Sequence, residues 1–118
     1  MIDFHTHIFP DKIAAKTIES LKAIARINAA TDGTLYGLLD SMQKSGVDQS
    51  VIMPVCTKAE QFDSINTFAK KVNDIYEGKL ISFGGIHPDC ENPKEKLKYI
   101  KYDINEKAKY FAKALACI

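Results

Sequence analysis

The chain has no tryptophan, only three cysteines among 118 residues, and almost no net charge, with 16 Lys and Arg against 15 Asp and Glu. Each scarcity excludes something. Cys56, Cys90 and Cys117 are odd in number, widely spaced, and form no C-x-x-C pair, so the sequence offers neither a disulfide framework nor a zinc ribbon and suits a reducing compartment. A formal charge of +1 provides no long-range field to draw the protein to nucleic acid or an anionic membrane. No apolar run reaches the roughly 18 residues that a bilayer crossing needs. The N-terminus enters strand-like Ile2-Asp3-Phe4-His5 directly, without the basic and apolar regions of a secretory leader. No glycine-rich phosphate loop follows an apolar run, which weighs against a flavodoxin-like binding module. The expectation is a cytoplasmic protein with neither nucleic-acid nor membrane partners.

What is present fits one globular α/β domain over residues 1–118. Hydrophobic residues make up 46% and charged residues 26% of the chain, within the range of ordinary soluble domains. A chain of this length buries something over ~60% of its unfolded surface, enough for one core and not for two. The lysines of residues 94–113 are interspersed with Glu95, Asp103 and Glu106, the pattern of a solvated helix face rather than of a nucleic-acid surface.

Residues 1–9 alternate, with Ile2, Phe4, Thr6 and Ile8 on one side and Asp3, His5 and His7 on the other, because strand side chains repeat every second residue. Pro10 ends this strand. Asp11 is placed to cap a helix over residues 12–28, with Ala14, Ile18, Leu21 and Ala25 on one face. Thr34 caps a second helix carrying Leu35, Leu38, Leu39 and Met42, and Gly46 stops it. Val51-Ile52-Met53-Pro54-Val55 is a continuous apolar run, the signature of a strand buried on both faces of a parallel sheet. Phe62, Ile65, Phe68, Ala69, Val72 and Ile75 repeat at helical spacing as far as Gly78, and residues 80–86 predict a third strand. Asn92-Pro93-Lys94-Glu95 supplies helix start signals, and Ala108, Phe111, Ala112 and Leu115 make a last amphipathic stretch, set off near residues 102–105. Tyr36 and Tyr76 fit as helix packing residues, and no fourth strand is legible.

Strands alternating with helices predict right-handed crossovers on a parallel sheet. The loops after the strands then share one face, bringing His7, Cys56, Thr57 and His87 to the side where such folds hold their ligands. The strongest chemical signal is the His5-Thr6-His7 pattern. Two histidines at i and i+2 on a strand present both rings to one side, about 6 to 7 Å apart at the backbone, a span one divalent ion can bridge. Alone, H-x-H is a weak motif, since any polar strand face can hold two histidines; its place at the carboxyl end of the first strand, beside Asp3, favours the metal. Asp3 is read as the carboxylate that a ligating ring needs on its other nitrogen, or as a plain hydrogen bonder. His87 is read as orienting a loop or contacting substrate rather than ligating, and Cys56 as an inert, buried thiol.

The segment Ile2-Asp3-Phe4-His5-Thr6-His7 resembles the first strand of the amidohydrolase superfamily, metal-dependent hydrolases built on a (β/α)₈ barrel. Asp32-Gly33-Thr34, Ser45-Gly46-Val47-Asp48 before Val51-Ile52-Met53-Pro54-Val55, and Gly85-Ile86-His87-Pro88 are similar to the branch that includes small amidohydrolases and metal-dependent decarboxylases. The resemblance covers roughly residues 1 to 100. It implies a zinc-like divalent ion on His5 and His7, further histidines from middle strands, and an aspartate at the end of the last strand. Relatives would continue after residue 101 into a fourth strand, whereas this chain carries a lysine-rich helical tail over residues 102–118. The expected architecture is therefore a partial TIM-type barrel, about three parallel strands alternating with helices and not closed, since a full barrel takes ~250 residues.

Two functions follow as expectations. One is a metal-dependent hydrolase in which an activated water attacks an amide, ester or lactone carbonyl of a small-molecule substrate held in part by His87, with decarboxylation as the variant chemistry of the same superfamily. Its missing ligands would come from a homo-oligomer formed through open sheet edges. The other is a truncated, non-catalytic remnant with vestigial metal binding.

Overall fold

Short apolar runs set between longer amphipathic stretches become three parallel strands with helices between them. The computed structural model describes residues 1–26 and 28–106. In order they form β1 (Ile2–Thr6), α1 (Asp11–Ala25), α2 (Leu35–Ser45), β2 (Gln49–Ile52), α3 (Phe62–Ile75), β3 (Leu80–Ser82) and α4 (Pro93–Tyr99). A turn of 3₁₀ helix, Ala59–Gln61, leads into α3, and a turn of π-helix, Ile100–Ile104, continues α4. The sheet has the order β1-β2-β3, every pairing is parallel, and it does not close. This is the α/β arrangement expected of a partial barrel. Of the expected tail, Ala108, Phe111, Ala112, Leu115 and Cys117 lie outside the described residues, as does Ile27. Among the described residues no helix is long and apolar enough to cross a membrane.

Local signals fix α2 at both ends. Thr34 is extended, and its hydroxyl accepts the Gly37 N–H at 3.0 Å while donating to the Asp32 carboxylate at 2.7 Å, which satisfies an amide that the first helical turn leaves without a partner. Gly46 closes the other end in the left-handed conformation, φ 67°, which glycine adopts without steric cost. In α1 the expected cap is displaced. Pro10 holds the capping position and makes no side-chain bond, while Asp11 is already helical, so its charge acts on the helix dipole instead. The helix ends at Ala25, with Arg26 left-handed, short of the residue 28 predicted; only Ala14 of the fifteen residues is buried, so little packing holds a further turn in place.

Packing concentrates under α2 and α3. Ile8, Leu38, Met42, Ile52, Val72 and Leu80 form one buried cluster, which places Ile52 and Leu80 on the helix-covered side of the sheet. Val51 and Ile81 alternate to the opposite side and are buried as well. A smaller cluster of Phe62, Cys90 and Ile100 joins the start of α3 to the segment after β3. Tyr76 packs against the main cluster, but Tyr36 is 78% exposed. The packing role predicted for Tyr36 is therefore corrected: Leu38 and Met42 face the core, and Tyr36 does not share their face.

β2 and β3 are shorter than their apolar runs. Pairing extends one residue beyond each, through Met53 N–H to Thr6 O at 2.9 Å and Phe83 N–H to Ile52 O at 3.0 Å. Pro54 has no N–H to carry β2 further. After β3 the amides of Gly84 and Gly85 are taken by side chains, Asn105 Oδ1 and Asn66 Oδ1, both at 2.9 Å, so no ladder continues toward residue 86. Asn73, buried on α3, closes the same region by accepting Ser82 N–H at 2.7 Å and donating to Ser82 O and Ile104 O.

Candidate metal centre

The geometry of the histidine pair begins with an irregularity in β1. Asp3 pairs with Ser50 and Thr6 with Ile52, so β1 advances three residues while β2 advances two. One extra residue on one strand is a bulge, which bends the strand and re-aims its side chains. Inside it the Asp3 carboxylate accepts the backbone N–H of His5 at 3.1 Å. Thr6 then anchors the strand end through its buried hydroxyl, which donates to Val51 O at 2.9 Å.

Beyond Thr6, His7 Nδ1 lies 2.6 Å from Met53 O. A carbonyl can only accept, so Nδ1 carries the hydrogen and the neutral ring presents a lone pair at Nε2. That lone pair is aimed at His5: the two Nε2 atoms are 3.0 Å apart, with ring centroids 4.8 Å apart and planes inclined at 73°. His5 Nε2 therefore supplies the hydrogen between them. The separation of the two nitrogens is compatible with shared coordination. Nitrogens 2.0–2.1 Å from one ion and 3.0 Å from each other subtend roughly 95° at that ion, within the range of common coordination geometries. A carbonyl on the far nitrogen of a ligating histidine is also the usual means of fixing its tautomer. His7 has that partner in Met53 O, while Asp3 is engaged with the His5 backbone amide.

Both rings are exposed, and among the described residues no group of three His, Cys, Asp or Glu side chains is placed to hold an ion. The pair is two donors with no third His, Cys, Asp or Glu beside it among the described residues. His87 lies in the loop after β3, where its Nδ1 accepts the Asp89 N–H at 3.2 Å and its carbonyl accepts the Cys90 N–H at 3.1 Å. Among the described residues no hydrogen bond or ring contact joins His87 to the pair. With Nδ1 accepting, the hydrogen of the neutral His87 ring sits on Nε2, leaving that edge as a donor.

The loop after β2 is held by Gln61, whose Oε1 accepts from Thr57 N–H, Thr57 hydroxyl and Lys58 N–H. Its role was not read from the sequence, although a glutamine three residues after a helix start is a capping signal. Burial pushes the Cys56 thiol above its ordinary pKa, which keeps it protonated and a poor nucleophile. An apolar cavity of about 500 Å³ opens elsewhere, between α2, α3 and the start of α1, lined by Pro10, Leu35, Leu39 and Phe68 among others, and it includes none of the three histidines.

No family model, characterised protein or solved structure matches the chain.

Proposed function

We propose that this chain carries part of the metal site of an amidohydrolase-type hydrolase, with His5 and His7 as two ligands of a divalent ion, zinc by the nature of the donors. One observation carries the reading: two Nε2 atoms converge to 3.0 Å while a backbone carbonyl fixes the tautomer of one ring. A bound divalent ion supplies Lewis acidity and a water acidified to near neutral pKa, the requirements for attack on an amide, ester or lactone carbonyl.

The chain's own residues have separable tasks. Met53 O keeps the hydrogen of His7 on Nδ1, so Nε2 is ready to donate its lone pair. To hold an ion through Nε2, His5 would carry its ring hydrogen on Nδ1, the other neutral tautomer. Asp3 braces the bulge through the His5 amide. His87 offers an Nε2–H from the loop after β3, suited to a substrate oxygen. The free thiols Cys56 and Cys90 suit a reducing, cytoplasmic setting. A second reading, a non-catalytic chain with residual metal affinity, is favoured by the lack of a third donor among the described residues.

Equilibrium dialysis against zinc, followed by metal analysis, tests the proposal. The wild-type chain should retain zinc and His7→Ala should bind it at least about 10-fold more weakly, in line with the loss expected when a metal site is impaired. Equal retention by both would remove the pair from the metal site. Zinc retained without any metal-dependent hydrolysis of simple esters or lactones would favour the non-catalytic reading.

A further inference from the structure

We propose that two copies of this chain hold one divalent ion between them, each contributing Nε2 of His5 and Nε2 of His7. The inference rests on the metal-binding reading above and names the partner that completes the site.

The pair supplies two nitrogens where a divalent ion held by protein ordinarily takes three or four side chains. No third His, Cys, Asp or Glu side chain among the described residues joins them. A second copy carries the same two donors in the same geometry. A two-fold axis passing between the pairs makes the contact self-complementary, the commonest way identical chains associate. The position allows this approach: both rings are exposed, and they sit on and just beyond β1, an outer strand of the open sheet.

Two further features favour association through the rings rather than through the strand backbones. The N–H of His5 is occupied by the Asp3 carboxylate at 3.1 Å, and the bulge between Asp3 and Thr6 interrupts the register of β1. Bulges and charged side chains on an outer strand are devices that discourage continuous edge-to-edge pairing. The bite of roughly 95° calculated from metal–nitrogen distances also bears on the outcome. Two such pairs supply four nitrogens, and an angle near 90° accommodates a five- or six-coordinate ion that keeps one or two positions for water.

The test is the mass and metal content of the full wild-type chain during titration with zinc and, separately, with cobalt(II), by light scattering on a sizing column and elemental analysis of the eluted peak. The expected result is a shift from monomer to dimer that saturates at one metal per two chains, reversal by chelator, and a weak visible cobalt spectrum of five- or six-coordination. His5→Ala and His7→Ala should remain monomeric with metal present while keeping the wild-type far-ultraviolet circular dichroism. The wild-type stoichiometry alone decides the question if either variant fails to fold. One metal per chain on a monomer would overturn the shared site and leave the metal-binding reading standing. No retained metal would overturn both, and a dimer that forms equally in chelator would overturn the shared site.

Discussion

Among the described residues β1 and β3 are the two outer strands of one sheet, and they are finished in opposite ways. All three residues of β3 are buried. The chain beyond β3 is closed by Asn66, Asn73 and Asn105, whose side chains satisfy the amides of Ser82, Gly84 and Gly85. In β1, Asp3, Phe4 and His5 are exposed, and the helix that follows buries only Ala14. The difference separates two requirements. Buried polar groups that are fully hydrogen-bonded specify a rigid frame, whereas groups that meet a ligand must sit where the structure is open and locally less stable. Burial and side-chain hydrogen bonds to the backbone are concentrated at β3, and the candidate chemistry is at β1.

The largest expected effect comes from breaking the closed side. Asn73→Ala would leave a buried N–H at Ser82 and two buried carbonyls, Ser82 O and Ile104 O, without this partner; at roughly 1–3 kcal/mol per group left unsatisfied, a loss of about 3 kcal/mol in urea unfolding is expected. A change below about 1 kcal/mol would show that the asparagine network does not set stability here. Next is Gly84→Ala. A Cβ there would stand 2.7 Å from both Asn66 Oδ1 and Ile100 Cγ2, and the overpacking should cost about 1–3 kcal/mol, read as a lower urea midpoint at unchanged slope.

The open side should respond weakly. Ile24 is 81% exposed on α1, and Ile24→Lys should alter stability by no more than about 0.5 kcal/mol. A larger loss would mean that α1 has a packing partner. The smallest effect is a pH dependence in the loop before α2. Thr34 donates its N–H and its hydroxyl to the Asp32 carboxylate, and these bonds hold the Asp32 pKa below its ordinary 3.8. A lowered folded-state pKa stabilises above the unfolded value and loses that contribution as pH falls through the folded one. The stability difference between wild type and Asp32→Asn should therefore be constant near neutrality and disappear below pH 3.8. A difference that instead grows on acidification would reverse the assignment.

What the sequence revealed follows the range of the signals. Thr34 and Gly46 act within a few residues of themselves, and both ends of α2 are where they indicate. The strand-helix alternation yields three parallel strands, and a period of two was enough to pair His5 with His7. The shortening of β3 was not legible, because Gly84 and Gly85 are claimed by Asn105 and Asn66, 21 and 19 residues away. The buried asparagines of α3 were hidden within an apolar stripe. Nor could the partner of His7 be read in advance: it is the backbone oxygen of Met53, and a carbonyl leaves no mark on residue identity. The bulge in β1 is equally silent, since it arises from register between strands rather than from composition.

The bond from His7 to Met53 O also ties the ring to the end of the neighbouring strand. When the edge strand frays from β2, that tether is lost, the imidazole is free to rotate, and the convergence of the two Nε2 atoms goes with it. Anything that grips both rings holds the strands together, and anything that loosens the strands releases what the rings hold. On the proposed metal-binding reading, breathing of the sheet edge and occupancy of the histidine pair would be one equilibrium viewed from opposite ends of a single hydrogen bond.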